Sequence, residues 1–247
     1  MVQPRRRLVD SSAVRCAATL LLWAFVTGAN AQISGTASIV SDYRYRGITL
    51  SDLKPAAQIG LTYDGPFGWY AGAFASTVRL APPAGPGIQA MAFTGFASRL
   101  TSDISVEAGG DYSAFTGAAG DDYGEAYLGV ASDKLSARIY YSPRYYGQRA
   151  SAWYGEINGA QPLTERVRLL AHVGFLITRT TDPYAPPVEQ HIVDGRIGLG
   201  ADFDLFHVEL VWVGLGGSIA NNSANAGYRI TGSSSPNTVV LTLSRQF

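Results

Sequence analysis

The chain has 247 residues, and its 19 Lys/Arg balance its 19 Asp/Glu, so the formal charge is zero. Only 15% of positions are charged while 47% are hydrophobic, which excludes a disordered chain, and the missing cationic surplus excludes nucleic acid as a partner. One Cys leaves no disulfide framework or multi-cysteine metal site, and 28 Gly, 14 Tyr and 2 Met point to strands and turns rather than a helical bundle.

The first element in chain order reads as an export leader. Arg5, Arg6, Arg7 and Arg15 make a cationic start, Ala17 to Val26 is apolar, and Ala29-Asn30-Ala31 is a small-x-small cleavage pattern. An apolar run of about ten residues is too short to cross a bilayer as a helix, so residues 1–31 are expected to leave as a signal peptide, taking Cys16 with them. Residues 32–247 then keep 15 Lys/Arg, 13 of them Arg, and 18 Asp/Glu, a net charge of −3. No later stretch holds 18 consecutive apolar residues, so any membrane role falls to strands.

Twelve period-two segments follow. They are Ile33–Arg46, Ala56–Asp64, Gly68–Leu80, Ile88–Leu100, Ile104–Ala114 and Tyr123–Ser132, then Leu135–Tyr145, Ala152–Ala160, Val167–Thr178, His191–Asp202, Leu205–Gly216 and Asn237–Phe247. Even-numbered segments end in tight turns such as Asp64-Gly65-Pro66-Phe67-Gly68, Thr101-Ser102-Asp103 and Ser132-Asp133-Lys134, with Gln161–Arg166 of middling length. Odd-numbered segments end in longer connections, among them Gly47–Pro55, Arg179–Gln190 and Gly217–Pro236. Sorting of loops by parity is the pattern of hairpins that cross a membrane, with short periplasmic turns and longer outer loops. The expected fold is all-β: an antiparallel up-and-down transmembrane β-barrel of about 12 strands.

Alternation assigns a lipid face and an inner face to each segment. Val167, Leu169, Ala171, Val173, Phe175 and Ile177 oppose Arg166, Arg168 and His172, and Ile39, Ser41, Tyr43 and Tyr45 oppose Asp42, Arg44 and Arg46. The preference for Arg over Lys suits a confined lumen, where a planar fork forms bidentate hydrogen bonds with carboxylates. Candidate lumen residues are therefore Asp42, Arg44 and Arg46 on the first segment, Arg79 and Arg99 on the third and fourth, and Glu107, Asp111 and Glu125 on the fifth and sixth. Arg138 and Arg144 follow on the seventh, Glu156 on the eighth, Arg166 and Arg168 at the ninth, Asp194 and Arg196 on the tenth, and Glu209 on the eleventh. Tyr43, Tyr45, Tyr63, Trp69, Tyr70, Tyr141, Trp153 and Trp212 are expected to form aromatic girdles at the lipid–water boundaries. The last segment alternates Val239, Leu241 and Leu243 with polar residues and stops on Phe247, the kind of ending that the barrel-assembly machinery recognises, although Arg245 departs from it.

Ser41-Asp42-Tyr43-Arg44-Tyr45-Arg46-Gly47-Ile48, with Gly68-Trp69-Tyr70-Ala71-Gly72, Tyr140-Tyr141-Ser142-Pro143, Tyr145-Tyr146-Gly147 and Ala171-His172-Val173-Gly174, resembles the TorF-type porins of bacterial outer membranes. The resemblance implies an outer-membrane barrel in a Gram-negative bacterium with a porin role.

A dozen strands lies between filled eight-stranded barrels and open porins of sixteen or more. The expected function is thus a narrow channel for passive diffusion of small hydrophilic solutes, embedded in outer-membrane lipid, with no cofactor or metal. A closed structural or adhesive barrel is the alternative. A lipid-modifying enzyme is a third, which His172, His191 and His207 do not support, because no G-x-S-x-G nucleophile motif accompanies them.

Overall fold

A computed structural model describes residues 32–80, 85–181, 183–184, 189–217 and 237–247. The predicted leader, residues 81–84, 182 and 185–188, and the connection 218–236 lie outside the described residues. Twelve strands form the wall: β1 (Gln32–Val40), β4 (Ala56–Asp64), β5 (Trp69–Leu80), β6 (Gly85–Arg99), β7 (Ser105–Phe115), β8 (Tyr123–Ala131), β9 (Leu135–Ser142), β10 (Ala150–Pro162), β11 (Val167–Thr180), β12 (Glu189–Asp202), β13 (His207–Gly217) and β14 (Asn237–Gln246). Each pairs antiparallel with its neighbours in sequence, and β1 closes onto β14 through Thr36↔Gln246 to Val40↔Thr242, leaving no free edge. Two further short strands, β2 (Arg44–Tyr45) and β3 (Ile48–Thr49), form a hairpin apart from the wall.

Side chains sort as the alternation requires, with apolar residues outside. Leu128 is 61% exposed and Leu210 53%, with Ile39, Ile157, Val173, Ile197 and Leu241 in the same state. Ser76, Gln89, Ser113 and Ser142 on the opposite phase are at most 1% exposed. A soluble protein would lose free energy by wetting that apolar band. Acyl chains around a closed barrel remove the cost.

Tight turns gather at one end: the wall strands are joined there by residues 65–68, 100–104, 132–134, 163–166 and 203–206. Thr101, Ser132 and Thr164 hydroxyls accept hydrogen bonds from backbone amides within these turns, which is how so few residues reverse the chain. The connection 161–166 contracts to Leu163–Arg166 because β10 extends to Pro162, and the parity of long and short connections becomes regular.

The first predicted segment needs correction. β1 stops at Val40, and Asp42, Arg44 and Arg46 are not an inward row of the wall. Arg46 (φ +52°) and Gly47 (φ +76°) reverse the chain as a two-residue hairpin turn with both central residues in the left-handed region, setting Tyr45 opposite Ile48. The hairpin enters the lumen, burying Tyr43, Tyr45 and Leu50. It meets inward residues of the long-loop half that are apolar, such as Phe74, Val78, Leu176, Ile192, Val211 and Val240. Burying one Leu50 side chain completely contributes about 1.5–3 kcal/mol.

The aromatic expectation splits. Trp69, Trp153 and Trp212 are exposed on the outer surface, and Tyr141 packs against Trp153 there in a tilted arrangement with ring centres 4.7 Å apart. Tyr43, Tyr45 and Tyr70 are instead buried inside, where their hydroxyls find polar partners that lipid could not supply.

Candidate functional site: a hairpin-crossed lumen

Local hydrogen bonds shape the hairpin before it touches the wall. Asp42 accepts from Thr49 Oγ1 (2.5 Å), Ser51 Oγ (3.2 Å) and Arg44 Nε (2.6 Å), so one carboxylate ties both arms together. Arg44 Nη1 also donates to the carbonyl of Gly47 (2.9 Å), and Leu50 N donates to the Tyr43 carbonyl (2.7 Å). A two-stranded hairpin alone is marginal in water, so its position must come from the wall. Tyr43 Oη donates to Gln89 Oε1 on β6 (2.8 Å), and Arg79 N on β5 donates to the Leu50 carbonyl (2.7 Å).

At the tip, Arg46 reaches across to β8. Its Nη1 and Nη2 donate to Glu125 Oε1 (3.0 Å) and Oε2 (2.5 Å), while Tyr145 Oη accepts a third bond (3.1 Å). The guanidinium carbon lies 4.2 Å from the Tyr154 ring centre, 4.8 Å from Tyr45 and 5.1 Å from Tyr140. Arginine satisfies both demands of this place, since its fork matches a carboxylate and its planar face stacks on rings. The pair is almost fully buried, which makes each charge dependent on the other.

Below the hairpin a second network spans β5, β7, β8 and β9. Arg138 Nε donates to Glu107, Tyr70 Oη donates to the same carboxylate (2.8 Å), and Tyr70 and Tyr127 hydroxyls meet at 2.7 Å. On the other side His172 lies between Asn158 Oδ1 (2.7 Å), Asp194 Oδ1 (2.8 Å) and Tyr154 Oη (3.2 Å). Two open spaces flank the Arg46–Tyr154 contact. One adjoins Asp111, Arg138 and Glu156; the other adjoins Asp42, Asp194 and Arg196. Among the described residues no group of three or more His, Cys, Asp or Glu is arranged to hold a metal ion.

A polar, ion-paired interior inside an apolar closed wall is the arrangement of outer-membrane barrels. Residues 27–247 match the family described as a bacterial protein of unknown function (Gcw_chp). The chain belongs to that family. No curated protein sequence matches it. Among solved structures, this Gcw_chp chain is similar to the KdgM porin in complex with disordered oligogalacturonate (TM-score 0.50, 9% identity, 88% of this chain and 98% of that one). Weaker similarities include OmpT of Vibrio cholerae (TM-score 0.40, 9% identity, 90% and 100% covered) and OccAB3 of Acinetobacter baumannii (0.36, 13%, 76% and 67%). At these identities the likeness establishes the fold and nothing finer.

The candidate residues of this Gcw_chp barrel fall into three groups. Asp42, Arg44, Arg46, Glu107, Glu125 and Arg138 meet in the hairpin and its partners, as described above. Asp111, Glu156, Asp194, Arg196 and Glu209 lie on the inner phase of their strands, and Arg168 pairs with Asp202 there (2.6 Å). Arg99 keeps the inner phase but sits exposed at the short-turn rim.

Three assignments are overturned. Arg79 is exposed on the outer phase, because β5 turns its apolar residues Phe74, Val78 and Leu80 inward against the hairpin, reversing the polarity that alternation implied. Arg144 lies exposed past the end of β9, and Arg166 projects from the short turn 163–166 with its side chain 68% exposed. Sequence reasoning missed Tyr45, Tyr140, Tyr145 and Tyr154 as partners of arginine. Tyr140 and Tyr154 share parity with Arg138 and Glu156, which was the available signal.

Proposed function

We propose that the protein is an outer-membrane porin of a Gram-negative bacterium, passing small hydrophilic solutes through a lumen narrowed by the hairpin of residues 41–55. The observation that carries this is the pair of spaces, each bordered by ionised side chains, that flank one ion pair, Arg46–Glu125, inside a lipid-facing wall. A barrel needed only as scaffold gains nothing from ionised groups around internal voids, whose desolvation is costly.

The KdgM structure is described as a complex with oligogalacturonate, a polyanion. With Arg79, Arg144 and Arg166 outside, this interior keeps seven candidate carboxylates to six arginines, a near balance that offers no net positive charge to attract a polyanion. The TorF-type assignment belongs to the same proposal, as does recognition by the assembly machinery of the C-terminal segment, β14 and the Phe247 that follows it, whose backbone pairs with Gly35. A catalytic role is not part of it: the hydrogen-bond partners of His172 are Asn158, Asp194 and Tyr154, with no serine nucleophile.

A closed structural barrel is the second reading, favoured by the attachment of the hairpin to β5, β6 and β8. Purified protein in planar bilayers decides between them. Discrete conductance steps are expected; silence at high protein load overturns the channel, and fatty-acid release from phospholipid would restore the enzyme.

A further inference from the structure

The space beside the hairpin that Arg46, Asp111, Arg138 and Glu156 line holds carboxylates that the ion pairs do not use. Its two arginines are already engaged, Arg46 with Glu125 and Arg138 with Glu107. Among the described residues, Asp111 and Glu156 form no ion pair with either of them. Glu156 is 3% exposed, its Oε1 accepts from Tyr140 Oη (3.4 Å), and its Oε2 has no hydrogen-bond partner among the described residues. Asp111 Oδ1 is likewise buried without a partner. Asp111 also stands directly opposite Glu125 in the β7–β8 register, so Arg46, bonded to Glu125, faces two carboxylates with one charge.

The walls of the space are aromatic. Tyr70, Phe93, Tyr127 and Tyr140 line it together with the two carboxylates. Ring faces attract cations, and buried carboxylate oxygens need donors. Together they describe a receptor for a charged donor attached to a small organic frame. A metal ion fits less well, since no set of three ligands is assembled there.

We propose that this cavity is a binding site for small solutes carrying protonated amines, held by Asp111 and Glu156 between tyrosine rings. This names the solute class for the channel and so rests on that reading, yet binding is measurable without conduction. Titration calorimetry on the detergent-purified full chain with ethylenediammonium, magnesium and ethylene glycol separates the sources. Saturable binding of ethylenediammonium alone is expected, weakened roughly tenfold in Asp111→Asn and in Glu156→Gln. Glu189→Gln, at an exposed position outside the cavity, is expected to bind as the parent does.

Equal binding of magnesium or of the glycol overturns the amine class. Unchanged binding in both cavity variants overturns the site, as does absence of binding to the parent. Retention of the heat-dependent shift in gel mobility shows that each variant is folded, and the two variants are read independently of each other. Conductance steps without amine binding would remove this site and leave the channel. Amine binding without conductance would do the reverse.

Discussion

Arg46 shows how one residue type governs a molecule. Its charge, its planar face and its left-handed backbone are used at once, for Glu125, for the ring of Tyr154 and for the hairpin turn. Gly47 follows for a different reason: a side chain there would run into Asp194 and Leu215 on the wall. Replacing Arg46 by Ala strands the Glu125 carboxylate, a loss of about 3–5 kcal/mol for a buried pair broken on one side. Arg46→Ala is expected to lower the temperature of the heat-modified mobility shift and raise unit conductance. Adding Glu125→Ala is expected to recover much of the stability but leave conductance high; a double variant no more stable than the single one would refute the coupling.

At the scale of elements, the wall and the hairpin are separable. Val40 and Ala56 are directly paired, so the wall needs almost none of residues 41–55 to connect β1 with β4. Replacing that segment with Asn-Gly is expected to leave a heat-modifiable barrel whose conductance rises several-fold in bilayers. An unchanged conductance would show that the hairpin does not set the constriction.

Most of the wall was legible in the sequence because alternation and tight turns are local properties. The hairpin was not, since Asp42, Arg44 and Arg46 alternate as well as any strand does. Only Arg46-Gly47, a two-residue turn, marked the reversal. Arg79 was misplaced for a related cause: once the hairpin enters, apolar residues belong inside as well as outside.

For the whole molecule, the outer band is the stability question. Ile197 stands near the middle of β12 and is 52% exposed on the outer phase. A charge there faces hydrocarbon, whereas inner neighbours such as Arg196 face polar surroundings. Ile197→Arg is expected to destabilise the protein in lipid bilayers by about 2–4 kcal/mol, read from urea unfolding by tyrosine fluorescence. A negligible change would mean that this surface does not meet acyl chains.

Parity of apolar residues and parity of loop length are written in neighbouring positions, and by themselves they determined a closed antiparallel barrel of about 12 strands with an oily exterior. Which of the charged residues meet was decided only by the tertiary structure. The partners Arg46 and Glu125, 79 positions apart in the chain, come together through barrel closure and the inward turn of the first long connection. Period-two patterning records the side of a strand on which a residue lies. It carries no information on what else has folded into the space that side encloses.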